Sequence, residues 1–322
     1  MKVRFYGTRG SIPTPMGQDA VRGKIRDVLL QAHGADLSSG EAVDRFIDDN
    51  LGFHHRATFG GDTSCVQIDP EDGTRLICDA GSGLRRFGND MLDFHGADAP
   101  QEYHILMSHL HWDHMMGFPF FMPAYIPGNK VHIHSCHNVV EEAFRNQNSL
   151  PGFPVSFDHM EAEITFHLHE PGTPFEVAGF TVDSQAQNHG GRSYGYRLNG
   201  YGKTIVYSTD SEHKALSISP DYPFVHFFRD ADLLIFDAQY SLVESISIKE
   251  DWGHSSNIIG VELARMAKAK RLCLFHHEPN FDDHTLSKIL QDTINYEQLS
   301  DEMPDAHRVE ILSAYDGLEV VV

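Results

Sequence analysis

The chain has 322 residues, 41% hydrophobic and 11% aromatic, enough for one large α/β domain with a sizeable core. Its 46 acidic and 25 basic residues leave a formal charge of −21, a surface that repels long nucleic-acid backbones and favours a small substrate. No apolar run of about 18 residues occurs, and the opening MKVRFYGTRG carries no apolar signal core, so a cytoplasmic protein without membrane contact is expected. The scattered Cys65, Cys78, Cys136 and Cys273 show no CxxC spacing and read as buried reduced thiols.

In chain order, KVRFY at 2–6 is the first expected strand. Residues 18–33 and 41–51 show helical periodicity: Val21, Ile25, Val28 and Leu29 mark one face, and Val43, Phe46, Ile47 and Leu51 another. They precede TSCVQI at 63–68, so they read as a lid or edge element inserted at about 16–57 of a single domain spanning 1–322. Further strands are expected at 75–79, 103–108, 131–134, 163–168, 180–186, 193–198, 204–208, 232–236 and 271–275. Helices are expected at 83–92, 137–148, 256–268 and 283–296. Strands come in runs as well as in alternation with helices, which fits two mixed sheets flanked by helices better than one doubly wound sheet. No GxGxxG follows the first strand, so a dinucleotide site is not expected.

The densest chemistry is SHLHWDHMMGF at 108–118. On an extended backbone His109, His111 and Asp113, at i, i+2 and i+4, point to one side, and His114 follows from the next turn. Imidazoles and a carboxylate this close, at a strand end, suit two adjacent zinc, manganese or iron ions.

HxHxDH, here His109-Leu-His111-Trp-Asp113-His114, resembles the signature of the metallo-β-lactamase superfamily. The resemblance implies an αββα four-layer sandwich of two mixed sheets, with two divalent ions, zinc first and manganese second, at one edge. It also implies three later ligands: His189 in QNHGGRSYGY, Asp210 in VYSTDSE and His276 in LCLFHHEP, each directly after an expected strand. One ion would then take His109, His111 and His189, the other Asp113, His114 and His276, with Asp210 bridging. His277 competes with His276 for the last position. The Asp of DAGSGL, Asp79, would support the metal histidines from behind, in a glycine-rich turn.

His111 disfavours the flavin-associated diiron branch, which has Glu there, and Asp210 disfavours the lactamases, which lack the bridging Asp. ADLLIFDAQYS at 231–241 resembles the His-Glu-Ala-Thr segment of tRNase Z-type phosphodiesterases, with Phe236, Asp237, Ala238 and Gln239 in its four places. WGHSSN at 252–257 resembles their His-Ser-Thr loop through His254, Ser255 and Ser256. Asp113, Asp237 and His254 form the expected catalytic set, with Asp237 orienting His254 and His254 protonating the leaving oxygen. Ser255 or Ser256 would cap the helix that follows, whose open N–H groups favour an anion. The short stretch from His189 to Asp210 leaves no room for the RNA-gripping arm of true tRNase Z. GTRGSIPTP and GGDTSC at 60–65 resemble the small phosphodiesterases of this branch, those acting on cyclic nucleotides and the PhnP-like enzymes.

The expected activity is therefore hydrolysis of a small cyclic phosphodiester, first a cyclic nucleotide, by a hydroxide bridging two zinc ions, in a homodimer. The alternatives are a glyoxalase II-like thioester or lactone hydrolase and a non-catalytic protein that binds metal or a phosphorylated metabolite. GFPFFMPAYIPGN at 117–129 would stack a base, form a dimer contact or pack in the core. Arg85, Arg86 and Arg192 would neutralise phosphate or remain solvated.

Overall fold

The computed structural model describes residues 1–96, 98–214, 219–240, 251–299 and 307–322. The first sheet comprises β1 (Lys2–Gly7), β2 (Cys65–Asp69), β3 (Leu76–Cys78), β4 (Glu102–Met107), β5 (Lys130–Ser135) and β6 (Glu163–Leu168), with β14 (Glu319–Val321) beside β1. The second comprises β7 (Phe175–Val177), β8 (Phe180–Gln187), β9 (Ser193–Gly200), β10 (Lys203–Ser208), β11 (Leu233–Asp237), β12 (Arg271–Phe275) and β13 (Glu310–Ser313), in the order β13-β12-β11-β10-β9-β8-β7. β3 to β6 run parallel, as do β10 to β13, and the other pairings are antiparallel. Both sheets are mixed.

Alternation along the strands makes the four layers. In β4, Leu106 enters the core between the sheets, with Phe5, Val182, Leu198 and Ile235. Tyr103, Ile105 and Met107 face the other way, against Phe87 of α4 (Gly83–His95) and Phe144 of α6 (Val140–Gln147). On the second sheet, Leu234, Phe236 and Leu272 meet Phe228, just after α7 (Pro223–Phe227), and Ile259 and Leu263 of α8 (Asn257–Met266). Each fully buried side chain of this kind stabilises the fold by about 1.5–3 kcal/mol. α9 (Asp283–Leu299) packs on α8 and β13.

The insertion between β1 and β2 is helical, as α1 (Gln18–Gln31), α2 (Gly40–Asn50) and α3 (Phe53–Arg56). Phe46 and Leu51 of the second periodic stretch are buried. The apolar stripe of α1 is not: Ile25 is 57% exposed and Leu29 67%. Val28 of the same stripe is half-buried, on the face of Lys24, whose Nζ donates to Ala57 O at 2.5 Å and to the Asp283 carboxylate. β7, β13 and β14 escape sequence reading because each is three or four residues long and lies at a sheet edge. All four cysteines are buried and unpaired. Among the described residues no helix is long and apolar enough to cross a membrane.

Candidate metal centre

The HxHxDH stretch is not the extended run its spacing predicts. β4 stops at Met107, and His111, still extended at φ −69° and ψ 155°, precedes the single turn α5 (Trp112–Met115). His114 N–H donates to His111 O at 3.0 Å, so Asp113 and His114 reach the site from a helical turn. The turn is pinned by Ala80 N–H donating to His114 O at 2.7 Å and by Gly117 N–H donating to Ala80 O at 2.9 Å. A Cβ on Gly117 would lie 1.9 Å from Gly81 O, so only glycine allows this approach.

Two groups of ligating atoms result, each within 4.8 Å: His109, His111 and His189 in one, and Asp113, His114, Asp210 and His276 in the other. In the first, His189 Nε2 lies 3.1 Å from His111 Nδ1. In the second, His114 Nε2 lies 3.2 Å from His276 Nε2, 3.3 Å from Asp113 Oδ2 and 3.1 Å from Asp210 Oδ2. His276 Nε2 lies 3.2 Å from Asp113 Oδ2 and 3.3 Å from Asp210 Oδ2. Asp210 spans the two groups: its Oδ1 lies 3.7 Å from His109 Nε2 and 3.6 Å from His189 Nε2, while Oδ2 faces His114 and His276.

These atoms fit divalent metal. His109 Nδ1–H and His114 Nδ1–H are donated to Ser108 Oγ and Asp79 Oδ2, and His189 Nδ1–H to Gly253 O, which leaves each Nε2 a bare acceptor. His109 Nε2 is buried without a hydrogen-bond partner. Acceptors facing each other at 3.1–3.3 Å repel unless a cation or proton lies between them. The separations match the roughly 3.4 Å edge of a tetrahedron with zinc–nitrogen bonds of about 2.0–2.1 Å. Charge agrees. Burial disfavours ionised Asp113 and Asp210, but the facing histidines outweigh it and hold both below the usual carboxylate range. His114 is raised well above its ordinary value against the pull of burial by Asp210, Asp113 and Asp79. His109 is pushed well down by burial first and by His114 next.

The support behind the cluster is dense. Asp79 accepts from Ser108 N–H, Ser108 Oγ, His114 Nδ1 and Tyr207 OH, each at 2.7 Å. Asp79, Asp210 and His276 all have left-handed backbone, with φ of 61°, 53° and 60°. Such backbone costs on the order of 1–3 kcal/mol per residue and is retained where surrounding structure enforces it. Ser11 N–H donates to Asp113 Oδ2 at 2.7 Å, and Gly10 leaves room for His276, whose ring lies 2.7 Å from where a Cβ would stand. Gln239, in the place where the resembling segment has Thr, donates to Ser11 Oγ at 3.3 Å. Glu212 accepts from Asp251 N–H and Gly253 N–H, tying the His254 loop down, and its own N–H donates to Asn188 O. The backing by Tyr207, Glu212 and Ser11 carries no local signal in the sequence.

His254 Nδ1–H donates to Asp237 Oδ2 at 2.8 Å, and Asp237 also accepts from Ser211 and Gln239 N–H. Burial would lower His254, but Asp237, then Asp210 and Asp113, raise it to about 9. The His254 ring stacks on His276 with centroids 5.1 Å apart. Ser256 caps α8 by accepting from Ile259 N–H, while Ser255 Oγ donates to Ser211 O and accepts from His213 N–H. Ser255, Ser256 and Asn257 at this helix start are buried.

His277 turns away, its Nε2 held by Ala314 O at 2.8 Å. Phe118 and Phe121 of the 117–129 segment pack in the outer core, while Phe120 is exposed. Arg85, Arg86 and Arg192 are exposed, Arg192 on the His189 loop. The chain's two tryptophans both flank the cluster in sequence and are open to solvent: Trp112 is 80% exposed and Trp252 61%.

The β-lactamase superfamily domain matches residues 74–277. Ribonuclease Z from Staphylococcus carnosus is 27% identical over 144 residues, 41% of this chain and 42% of that protein, so the match spans under half of that relative's length. Ribonuclease Z from Staphylococcus aureus is 21% identical over 285 residues, 72% of this chain and 87% of that protein. Among solved structures, the metallo-β-lactamase fold protein YhfI from Bacillus subtilis superposes with a TM-score of 0.63 at 17% identity, covering 99% of this chain and 98% of that one. A diphosphatase of the PhnP family superposes with a TM-score of 0.58 at 19% identity, covering 100% and 97%. The chain belongs to the β-lactamase superfamily and has the metallo-β-lactamase fold, the architecture of a metal-dependent hydrolase.

Proposed function

We propose that this chain is a phosphodiesterase that hydrolyses a small cyclic phosphodiester, with cyclic nucleotides first among its substrates. The observation that carries the reading is the buried His254–Asp237 pair at 2.8 Å, set against the ligating cluster through the stacked His276 ring. A thioester hydrolase, whose thiolate leaves unaided, needs no such acid, whereas a phosphodiesterase that expels a ribose alkoxide does.

His109, His111 and His189 would hold one divalent ion, and Asp113, His114 and His276 the other, with Asp210 shared. Zinc suits this donor set, and manganese is the alternative. Bound there, the ions supply Lewis-acid charge and activate water near neutral pH. Water would add to phosphorus and give up a proton to solvent, the bond from phosphorus to the ribose oxygen would break, and protonated His254 would give its Nε2 proton to that oxygen and regain one from solvent. Asp237 holds the ring by Nδ1 and keeps it charged. Trp112 offers an exposed aromatic face beside His111 and Asp113 for a base to stack on. Exposed Arg192 supplies positive charge near the phosphate. The charge of −21 works against long nucleic acids, unlike the substrate named for the ribonuclease Z relatives. A homodimer in the cytoplasm completes the proposal.

The test is hydrolysis of bis(p-nitrophenyl) phosphate and a panel of 2′,3′- and 3′,5′-cyclic nucleotides, with and without Zn²⁺ or Mn²⁺. Metal-dependent cleavage of both classes is expected. Protein that carries metal but cleaves neither, while opening thioesters or lactones, overturns the reading.

A further inference from the structure

A second set of histidines lies at the opposite end of β4, away from the strand-end cluster. Register aligns His104 of β4 with His132 of β5 and Thr165 of β6, and Leu106 with His134 and His167. These residues share one face of the first sheet. The rings stack across the strands: His104 on His132 at 4.8 Å, His134 on His167 at 4.6 Å, and His134 on His169 at 5.3 Å. Glu102, 55% exposed at the start of β4, places Oε1 3.4 Å from His104 Nε2 and 3.2 Å from His132 Nε2. The ligating atoms of Glu102, His104 and His132 all lie within 4.8 Å.

Hydrogen bonds back this triad on its far nitrogens. His104 Nδ1 pairs with His134 Nε2 at 3.2 Å, and His134 Nδ1 with His169 Nε2 at 3.0 Å. His132 Nδ1 pairs with Thr165 Oγ1 at 2.7 Å, and Thr165 Oγ1 with His167 Nε2 at 3.1 Å. With the Nδ1 atoms as donors, Nε2 of His104 and His132 is free to bind a metal, each ring backed by a partner on the far nitrogen. His132 Nε2 is buried and makes no hydrogen bond, although the Glu102 carboxylate is close. Burial, and then the neighbouring His132, lower His104, which keeps it neutral. The two carboxylate–imidazole separations of 3.2 and 3.4 Å are those of ligands around an ion of zinc size, and all three ligating atoms lie within 4.8 Å.

We propose that Glu102, His104 and His132 form a separate site for a borderline divalent transition-metal ion, with Zn²⁺ as its reference ligand and water in the fourth position. His104 stands five residues before His109 in sequence, at most about 17 Å away along an extended chain. Thr165, His134, His167 and His169 orient the ligands without touching the ion. The site stands independently of the hydrolytic reading, since it shares no residue with the strand-end cluster.

The experiment strips the full chain of metal, dialyses it against Zn²⁺ and counts retained ions by elemental analysis. His104→Ala/His132→Ala should retain one Zn²⁺ fewer than the parent chain, and Asp210→Ala/His276→Ala should keep that ion while losing those of the cluster. Glu102→Gln, an isosteric change at an exposed position, should weaken the extra ion at least tenfold and serves if the double variant fails to fold. Equal retention by the parent and the His104/His132 variant, or unchanged affinity in Glu102→Gln, overturns the proposal.

Discussion

Two histidine-rich regions share strand β4 and differ in how they are built. The strand-end cluster draws its groups from loops, three of its carboxylate and imidazole residues or their direct support have left-handed backbone, and its carboxylates Asp113, Asp210, Asp79 and Asp237 are buried. The ladder across β4 to β6 uses regular strand backbone, one exposed carboxylate and imidazoles on adjacent strands. A strained, anion-rich pocket concentrates the negative charge that divalent metal calls for. A ladder of stacked imidazoles with one exposed carboxylate has the geometry for an ion but little field for chemistry. Rigid placement of histidines is thus common to both, and buried carboxylate separates the reactive region from the merely ligating one.

The largest expected effect comes from removing the shared carboxylate. Asp210→Ala should reduce phosphodiester hydrolysis to background and release the cluster's ions, measured by elemental analysis, while the ladder keeps its own. Retention of full activity would erase the distinction between the regions. Next, His254→Ala should lower turnover by about 10²–10⁴ with metal content intact. Equal turnover in equally loaded proteins would remove His254 from the chemistry. Smaller is Trp112→Ala: loss of a stacking face worth about 1–3 kcal/mol should raise KM for a cyclic nucleotide roughly 5- to 100-fold and leave bis(p-nitrophenyl) phosphate nearly unaffected. An equal change for both substrates would mean that Trp112 shapes the site and does not read a base.

The smallest effect is a displacement of the pH profile. His254 stands at about 9 because Asp237 outweighs burial, so the acid form persists below that value and is lost above it. Asp237→Asn withdraws the charge, lowers the histidine, and should move the basic limb of kcat to lower pH. A limb that stays in place assigns it to another group. The sign also bears on stability: a raised histidine stabilises the folded chain fully below its ordinary 6.5 and loses that contribution as pH rises through about 9.

Legibility in the sequence followed how local the signal was. Long apolar strands such as LLIF before Asp237 and LCLF before His276 declare themselves, and the groups after them fall where the chain leaves the sheet. The α5 turn was hidden because HLHWDHM reads equally as extended chain until Ala80 and Gly117 bind it. The stripe on α1 predicted a buried face, but Ile25 and Leu29 are exposed while Lys24 and Val28 on the adjoining face are half-buried. The ladder was invisible for a different reason: His104, His132 and His167 are about thirty residues apart, and only strand register brings them together. The ion-binding triad is therefore a property of the sheet, whereas HxHxDH is a property of the string.

The spread of the cluster along the chain governs when it can exist during synthesis. His109 to His114 leave the ribosome first, and His276 follows His114 by 162 positions. At about 5–20 residues per second this is roughly 8–30 s. For more than half of that interval the early histidines lack Asp210, and for all of it they lack His276, because β12, which carries it at its end, is still unfinished. A nascent chain can hold an ion only loosely, and loading at full affinity is deferred until the second sheet has closed on the first.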